Sequence, residues 1–197
     1  NEAVLRRFQA RELALLGAGG LASLLWEVTH GTREAFGLDN VGLTLVDADG
    51  ALGALCSGGL ESLEVPDTVR RLAETAPCPV LADLDGVCLE AYREARHAPL
   101  FPAPGPALAS VALLPLRRGG EPLGVLALGS ADPGRYSPGH GVAFLEHLAA
   151  VAAVVLENAA NRERLVVSGY TDPLTRLANR RFLERRLGEE MARAGRH

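Results

Sequence analysis

Two mostly apolar runs, residues 110–116 and 123–128, flank Gly119-Gly120, and this pattern constrains the fold more than any other. Paired glycines supply the positive φ angles of a tight hairpin turn, and strands this apolar belong at the centre of a sheet. Earlier in the chain Val41, Leu43 and Leu45 alternate as a strand does. Asp49-Gly50 then predicts a second tight turn, with residues 52–56 returning as its partner strand.

Helical patterns surround these strands. Residues 4–17 and 21–36 read as two helices separated by Gly17, Gly19 and Gly20, the second with an apolar stripe of Leu21, Leu24, Leu25 and Val28. Pro66 suits a first helical turn, and Val69, Leu72 and Ala76 follow at helical spacing before Pro77 and Pro79. Residues 80–84 read as a short strand and 87–96 as a helix. Four prolines in residues 97–106 make that segment a loop that could serve as a lid. After the turn at Asp132-Pro133-Gly134, Ser137 can cap and Pro138 can open a helix of about thirty residues. Its apolar positions include Phe144, Leu148, Val151, Val155 and Leu165. Leu148 and Val155 are seven residues apart, which predicts a parallel seam between two copies of the chain.

Charge divides the chain where the total conceals it. The formal net charge is -4, yet from Arg162 onward nine arginines face five acids, net +4, while residues 1–161 carry net -8. With Gly169 as a helix stop, this predicts a domain of residues 1–168 and a fragment of a second, residues 169–197. All 20 basic residues are arginine and lysine is absent, which reads as codon bias and carries no chemistry. The chain begins at Asn1 and its only methionine is Met191, so it reads as a piece of a longer protein. The apolar runs 107–116 and 148–156 are about half the roughly 20 residues that cross a bilayer, so no membrane contact is expected. Cys56, Cys78 and Cys88 show neither a disulfide framework nor zinc-ligand spacing, and the default compartment is the cytoplasm. The Arg-rich tail is interleaved with Glu184, Glu189 and Glu190, which favours ion pairs along a helix over nucleic-acid binding.

The order of elements resembles the GAF superfamily of sensory domains over residues 20–160. The stretch Gly129-Ser130-Ala131-Asp132-Pro133-Gly134-Arg135-Tyr136, followed by Gly139-His140-Gly141 and Phe144-Leu145, is similar to a bacterial GAF-like family of unassigned function. The resemblance implies an α/β (α+β) fold: an antiparallel sheet of about five strands flanked by helices, with a long C-terminal output helix. It places a small-molecule effector between the sheet and the segments over it. The matching positions are Cys88, Tyr92, Arg93, Arg96 and His97, where two arginines beside Tyr92 and His97 would suit an anion or nucleotide. Packing of Cys88 and Tyr92 as core, with the arginines as a solvated helix face, is the plainer reading. His30, His140 and His147 form no ligand cluster by spacing, Cys88 lacks an adjacent His, and no metal or prosthetic group is expected.

A second resemblance is shorter and sharper. Residues 172–182, Asp-Pro-Leu-Thr-Arg-Leu-Ala-Asn-Arg-Arg-Phe, are similar to the D-x-L-T-x-L-x-N-R-R opening of GGDEF diguanylate cyclase domains. Asp172, Leu174, Thr175, Leu177, Asn179, Arg180 and Arg181 match that pattern and are expected to form a turn transmitting signal from the output helix. Arg176 departs from it, since the family usually has glycine there. GTP and magnesium are implied for the cyclase domain, whose Gly-Gly-Asp/Glu-Glu-Phe loop is absent from these 197 residues, so no catalytic residue is expected here. The sequence thus points to the homodimeric sensor half of a cyclase that makes cyclic di-GMP. The alternatives are a GAF-like dimerisation scaffold and a small-molecule-binding module with a different output.

Overall fold

A computed structural model describes residues 2–47, 66–73, 79–101, 107–137 and 141–170. The chain falls into two compact units, Asn1–Ala159 and Ala160–His197. The sheet and its covering layers belong to the first.

The central hairpin forms as its sequence dictates. Strands β4 (Ser110–Arg118) and β5 (Glu121–Ser130) join through Gly119 and Gly120, with φ of 57° and 92°. Val111 to Leu114 and Val125 to Ala127 are wholly buried, so both faces of this pair are covered. Strand β1 (Asn40–Asp47) lies antiparallel to β5, and β3 (Cys88–Ala91) lies antiparallel to β4. Strand β2 (Val69–Ala73) runs parallel to β1, giving the order β2-β1-β5-β4-β3. The return strand expected at residues 52–56 lies outside the described residues.

Three short segments differ from their sequence patterns, two of them because a sheet edge needs a partner. The helix expected from Pro66 is strand β2 over Val69–Ala73. Its neighbour β1 would otherwise present a row of unpaired backbone groups; instead Leu43 N–H donates to the Thr68 carbonyl at 2.8 Å and the ladder continues. The strand expected at 80–84 is a helical turn, α4 (Pro79–Ala82), with Pro79 at its start and Val80, Leu81 and Leu84 in the core. The helix expected over 87–96 divides into strand β3 and a short helix, α5 (Glu94–His97). Pairing of Cys88 with Leu113 and Ala91 with Ser110 covers the outer edge of β4, outweighing weak local preference.

Helices α1 (Glu2–Leu16), α2 (Leu21–Trp26) and α3 (Thr32–Phe36) match the two predicted helical stretches. A π-helical segment, Glu27–Gly31, joins α2 to α3. Arg11 of α1, 7% exposed, forms an ion pair with Glu27 there, and a Cβ at Gly31 would collide with both side chains. Gly37 ends α3 in the left-handed conformation, φ 57° and ψ 51°.

The motif that carried the first resemblance is a clasp. Asp39, before β1, accepts hydrogen bonds from Ala131 N–H at 2.8 Å and Ser130 Oγ at 3.2 Å, at the end of β5. Asp132 Oδ1 accepts from Gly134 N–H at 2.8 Å, and Arg135 donates to the carbonyls of Phe36 and Gly37 that end α3. Ser130 and Tyr136 are buried. The hydrogen-bonding residues of this stretch therefore close the sheet onto the helical layer.

Helix α6 (Ala143–Tyr170) is long, as expected, but begins beyond Pro138 and continues through Gly169. By length and composition alone, its residues Ala143–Leu165 could cross a membrane, unlike the shorter apolar runs considered above. Leu148, Ala149, Ala152, Ala153 and Leu156 are buried within the protein. Leu148, 1% exposed, is therefore a core residue and is not available as a seam to another copy; Val155 is half-buried. Phe144 stacks on Phe8 at 5.1 Å, and His147 lies 3.1 Å from Glu12, fastening α6 to α1.

Candidate functional site

Strand alternation brings the candidate site together on one face of the sheet. Glu90 is opposite Val111, Gly42 opposite Ala127, and Thr44 opposite both Val125 and Arg70, so all these positions share a face. That face is covered by Val80, Leu81, Leu84, Leu100 and Phe101, with Cys88, Tyr92 and Leu108 partly buried against the same core.

A strap, residues 93–101, crosses it from β3 towards β2. At its start His97 is fully buried. The Arg93 backbone N–H donates to His97 Nδ1 at 2.8 Å, so Nδ1 holds a lone pair and the proton of the neutral ring resides on Nε2. Nε2–H then donates to Glu90 Oε1 at 3.1 Å. Glu90 also pairs with Arg93 and lies 3.3 Å from Arg96 Nε, close enough for charge attraction but not aligned for a hydrogen bond. Arg96 Nη1 is 3.7 Å from Asp83. The far end is tied to β2, where Arg70 donates to the Pro99 carbonyl. Next to it, the Leu100 carbonyl lies over β1 where a Cβ of residue 42 would be, so only glycine permits the crossing.

The electrostatics follow from this packing. Burial lowers the His97 pKa below its ordinary 6.5; Glu90 opposes that shift, and the positive charges of Arg93 and Arg96 add to it. Burial would raise the Glu90 carboxyl, but hydrogen bonds and charges from His97 and Arg93 outweigh it and hold the group below 4.5. Burial, with Glu90 nearby, pushes the Cys88 thiol up, so it is a poor nucleophile. Burial likewise raises the Tyr92 phenol.

A folded-state His pKa below the unfolded value means the unfolded chain binds the extra proton first. Stability is then complete above pH 6.5 and falls as pH drops below that value, while the Glu90 contribution is lost below pH 4.5. Urea unfolding midpoints at pH 7.5 and 5.5 will show the lower stability at 5.5, and His97→Asn will remove most of that difference.

The five expected effector contacts are thus neighbours, but four of them are engaged with the protein itself. Arg93 and Arg96 are paired with Glu90 and Asp83, His97 is enclosed, and Tyr92 packs at 5.6 Å from the His97 ring and 6.4 Å from Phe101. Cys88 is half-buried on β3. The sequence pattern did not single out Glu90, Gly42 or Arg70. A glycine within the alternating strand 41–45 was the available signal for a close backbone approach. Among the described residues, no three His, Cys, Asp or Glu side chains gather as a metal-binding set. Asp172, Leu174, Thr175, Leu177, Asn179, Arg180 and Arg181 lie outside the described residues.

A five-stranded sheet between helical layers, with a strap across one face and a long terminal helix, is the architecture of a sensory or regulatory module. The GAF domain pattern matches residues 19–157, and the chain belongs to the GAF domain family. No curated protein matches it in sequence. In fold it is similar to the GAF domain of a phosphoenolpyruvate-protein phosphotransferase from Acinetobacter, with TM-score 0.55 and 16% identity over 82% of this chain and 96% of that one. It is also similar to free methionine-R-sulfoxide reductase from Neisseria meningitidis, with TM-score 0.52 and 18% identity over 83% and 94% of the two chains. The bacteriophytochrome RpBphP3 from R. palustris gives TM-score 0.52 at 13% identity, over 85% of this chain and 40% of that one.

Proposed function

We propose that this GAF domain is the regulatory half of a diguanylate cyclase, controlling synthesis of cyclic di-GMP from GTP. The observation that carries the reading is the sequence of residues 172–182, which resembles the opening of a GGDEF domain and follows directly on helix α6. Joining two GTP molecules requires two cyclase domains to face each other, so control can be exerted by positioning alone. Residues Asp172 to Arg181 would pass the movement of α6 to that domain, and GTP and magnesium would bind there. Such an enzyme works as a homodimer in the cytoplasm. Exposed Leu13 and Leu16 on α1, and Phe144 and Val154 on α6, support a dimer through the terminal helices. The test is to incubate the longer parent protein with GTP and magnesium: cyclic di-GMP is expected. No product, even when dimerisation is forced by fusion, overturns the proposal.

A small-molecule effector is a second reading, favoured by Thr44. Its hydroxyl is buried on the strap-covered face and has no hydrogen-bond partner among the described residues. A metabolite and nucleotide thermal-shift screen tests this, because a ligand selective for the native state raises the melting temperature.

A further inference from the structure

We propose that His97 is a proton-operated latch, and that its protonation frees residues 93–101 from the sheet while the central hairpin stays folded. Among the described residues, the ring has no acceptor for a second proton. Protonation puts an N–H on Nδ1, directly facing the Arg93 backbone N–H that now donates to it at 2.8 Å, so a hydrogen bond becomes a clash of two donors. The new positive charge is also fully enclosed.

The surrounding charges do not rescue it. From β3, Glu90 attracts an imidazolium, but that carboxylate is already shared with Arg93 and Arg96. From the strap, Arg93 and Arg96 repel the new charge; Glu94 is exposed on the same short helix, and Asp83, beyond α4, is engaged with Arg96. Cys88 and Tyr92 stay neutral in this range, since burial raises both. Glu90 itself is held ionised to below pH 4.5, so as pH falls from 6.5 the group in this cluster whose released form takes up a proton first is His97.

The remaining described ties of the strap are the pairs of Arg93 and Arg96 with Glu90 and Asp83, all reached by exposed or half-exposed side chains, the Arg70 contact to the Pro99 carbonyl, and the burial of Leu100 and Phe101. By contrast β4 and β5 share nine paired positions, from Ser110 with Ser130 to Arg118 with Glu121. Loss of the latch therefore opens the strap locally and uncovers the face that carries Gly42 and Thr44. Opening is favoured by up to about tenfold for each pH unit below the open-state pKa, until the closed-state pKa is passed.

The inference concerns the 197-residue chain alone and stands or falls independently of the cyclase reading. The experiment is backbone amide exchange by NMR on that chain between pH 7.5 and 5.0, corrected for intrinsic rates, in wild type and His97→Asn. Asparagine offers Oδ1 where the ring offers Nδ1 and does not titrate. The expected result is a loss of protection at the amides of Arg93, His97 and Phe101 in wild type, about tenfold per pH unit. Protection in β4 and β5 should hold, and H97N should show no such slope. Strap protection that is flat with pH, or that falls together with β4 and β5, overturns the proposal. So does an equal slope in H97N. Should H97N not fold, the His97 ring nitrogen shifts of the wild type decide: a titration midpoint coinciding with strap opening supports the latch, and one separated from it by more than a pH unit refutes it.

Discussion

Leu148→Glu will unfold the sheet-bearing unit rather than dissociate a dimer. The side chain is 1% exposed within one chain, among Ala149, Ala152 and Leu156, which are also buried. A buried carboxylate without a partner costs about 3–5 kcal/mol, comparable with the whole stability of many domains. Val154 on the same helix is 40% exposed, so Val154→Glu should change stability by no more than about 0.5 kcal/mol. Urea unfolding followed by circular dichroism separates the two. An L148E chain with the wild-type midpoint would place α6 outside the core.

Gly42→Ala is the second large effect, by a different route. The added methyl group meets a backbone carbonyl, that of Leu100, and not the end of a flexible side chain. Relief requires moving the strap or β1, both fixed by ladder hydrogen bonds or by buried Leu100 and Phe101. Overpacking of this kind costs about 1–3 kcal/mol, and the rigidity of both partners puts this case at the upper end. The loss should appear in the unfolding midpoint together with faster amide exchange at residues 97–101. Gly86→Ala, where nothing lies within 4 Å of the new Cβ, is the matched control and should be near neutral.

The parts of the fold that could be read in the sequence are those whose pattern runs long enough to be self-sufficient. The paired apolar runs around Gly119-Gly120 specify β4 and β5 locally, and the stretch from Leu21 to Val28 and helix α6 show helical apolar spacing over two turns or more. The region between residues 66 and 97 behaves differently. Its elements are four or five residues long, and what they become is decided by tertiary context: β2 and β3 by the sheet edge each one covers, α4 by burial of Val80 and Leu81. Val69, Leu72 and Ala76 fit a helical stripe, yet the parallel ladder with β1 prevails. The same error hid the centre of the site. Read as one helix, residues 87–96 put Tyr92 and Arg96 on one face and leave Glu90 elsewhere. As a strand followed by a turn, they bring Glu90 to His97, seven residues on.

That difference changes the meaning of the cluster. Arg93, Arg96 and His97 suggest an anion site when listed by residue type. With Glu90 and Asp83 among them, they form a charge-compensated network holding a strap in place. Similarly, the Ser130 to Tyr136 motif, the most distinctive stretch of the sensor unit, serves to join β5, Asp39 and the end of α3.

The state of the His97 ring decides whether the strap is latched. Long-range nitrogen–proton NMR correlation of the histidine side chains at pH 7.5 reads it directly. The structure requires His97 to be neutral with its proton on Nε2 and a lone pair on Nδ1. An Nδ1-protonated tautomer or an imidazolium at that pH would contradict the geometry of the latch and the strap built on it.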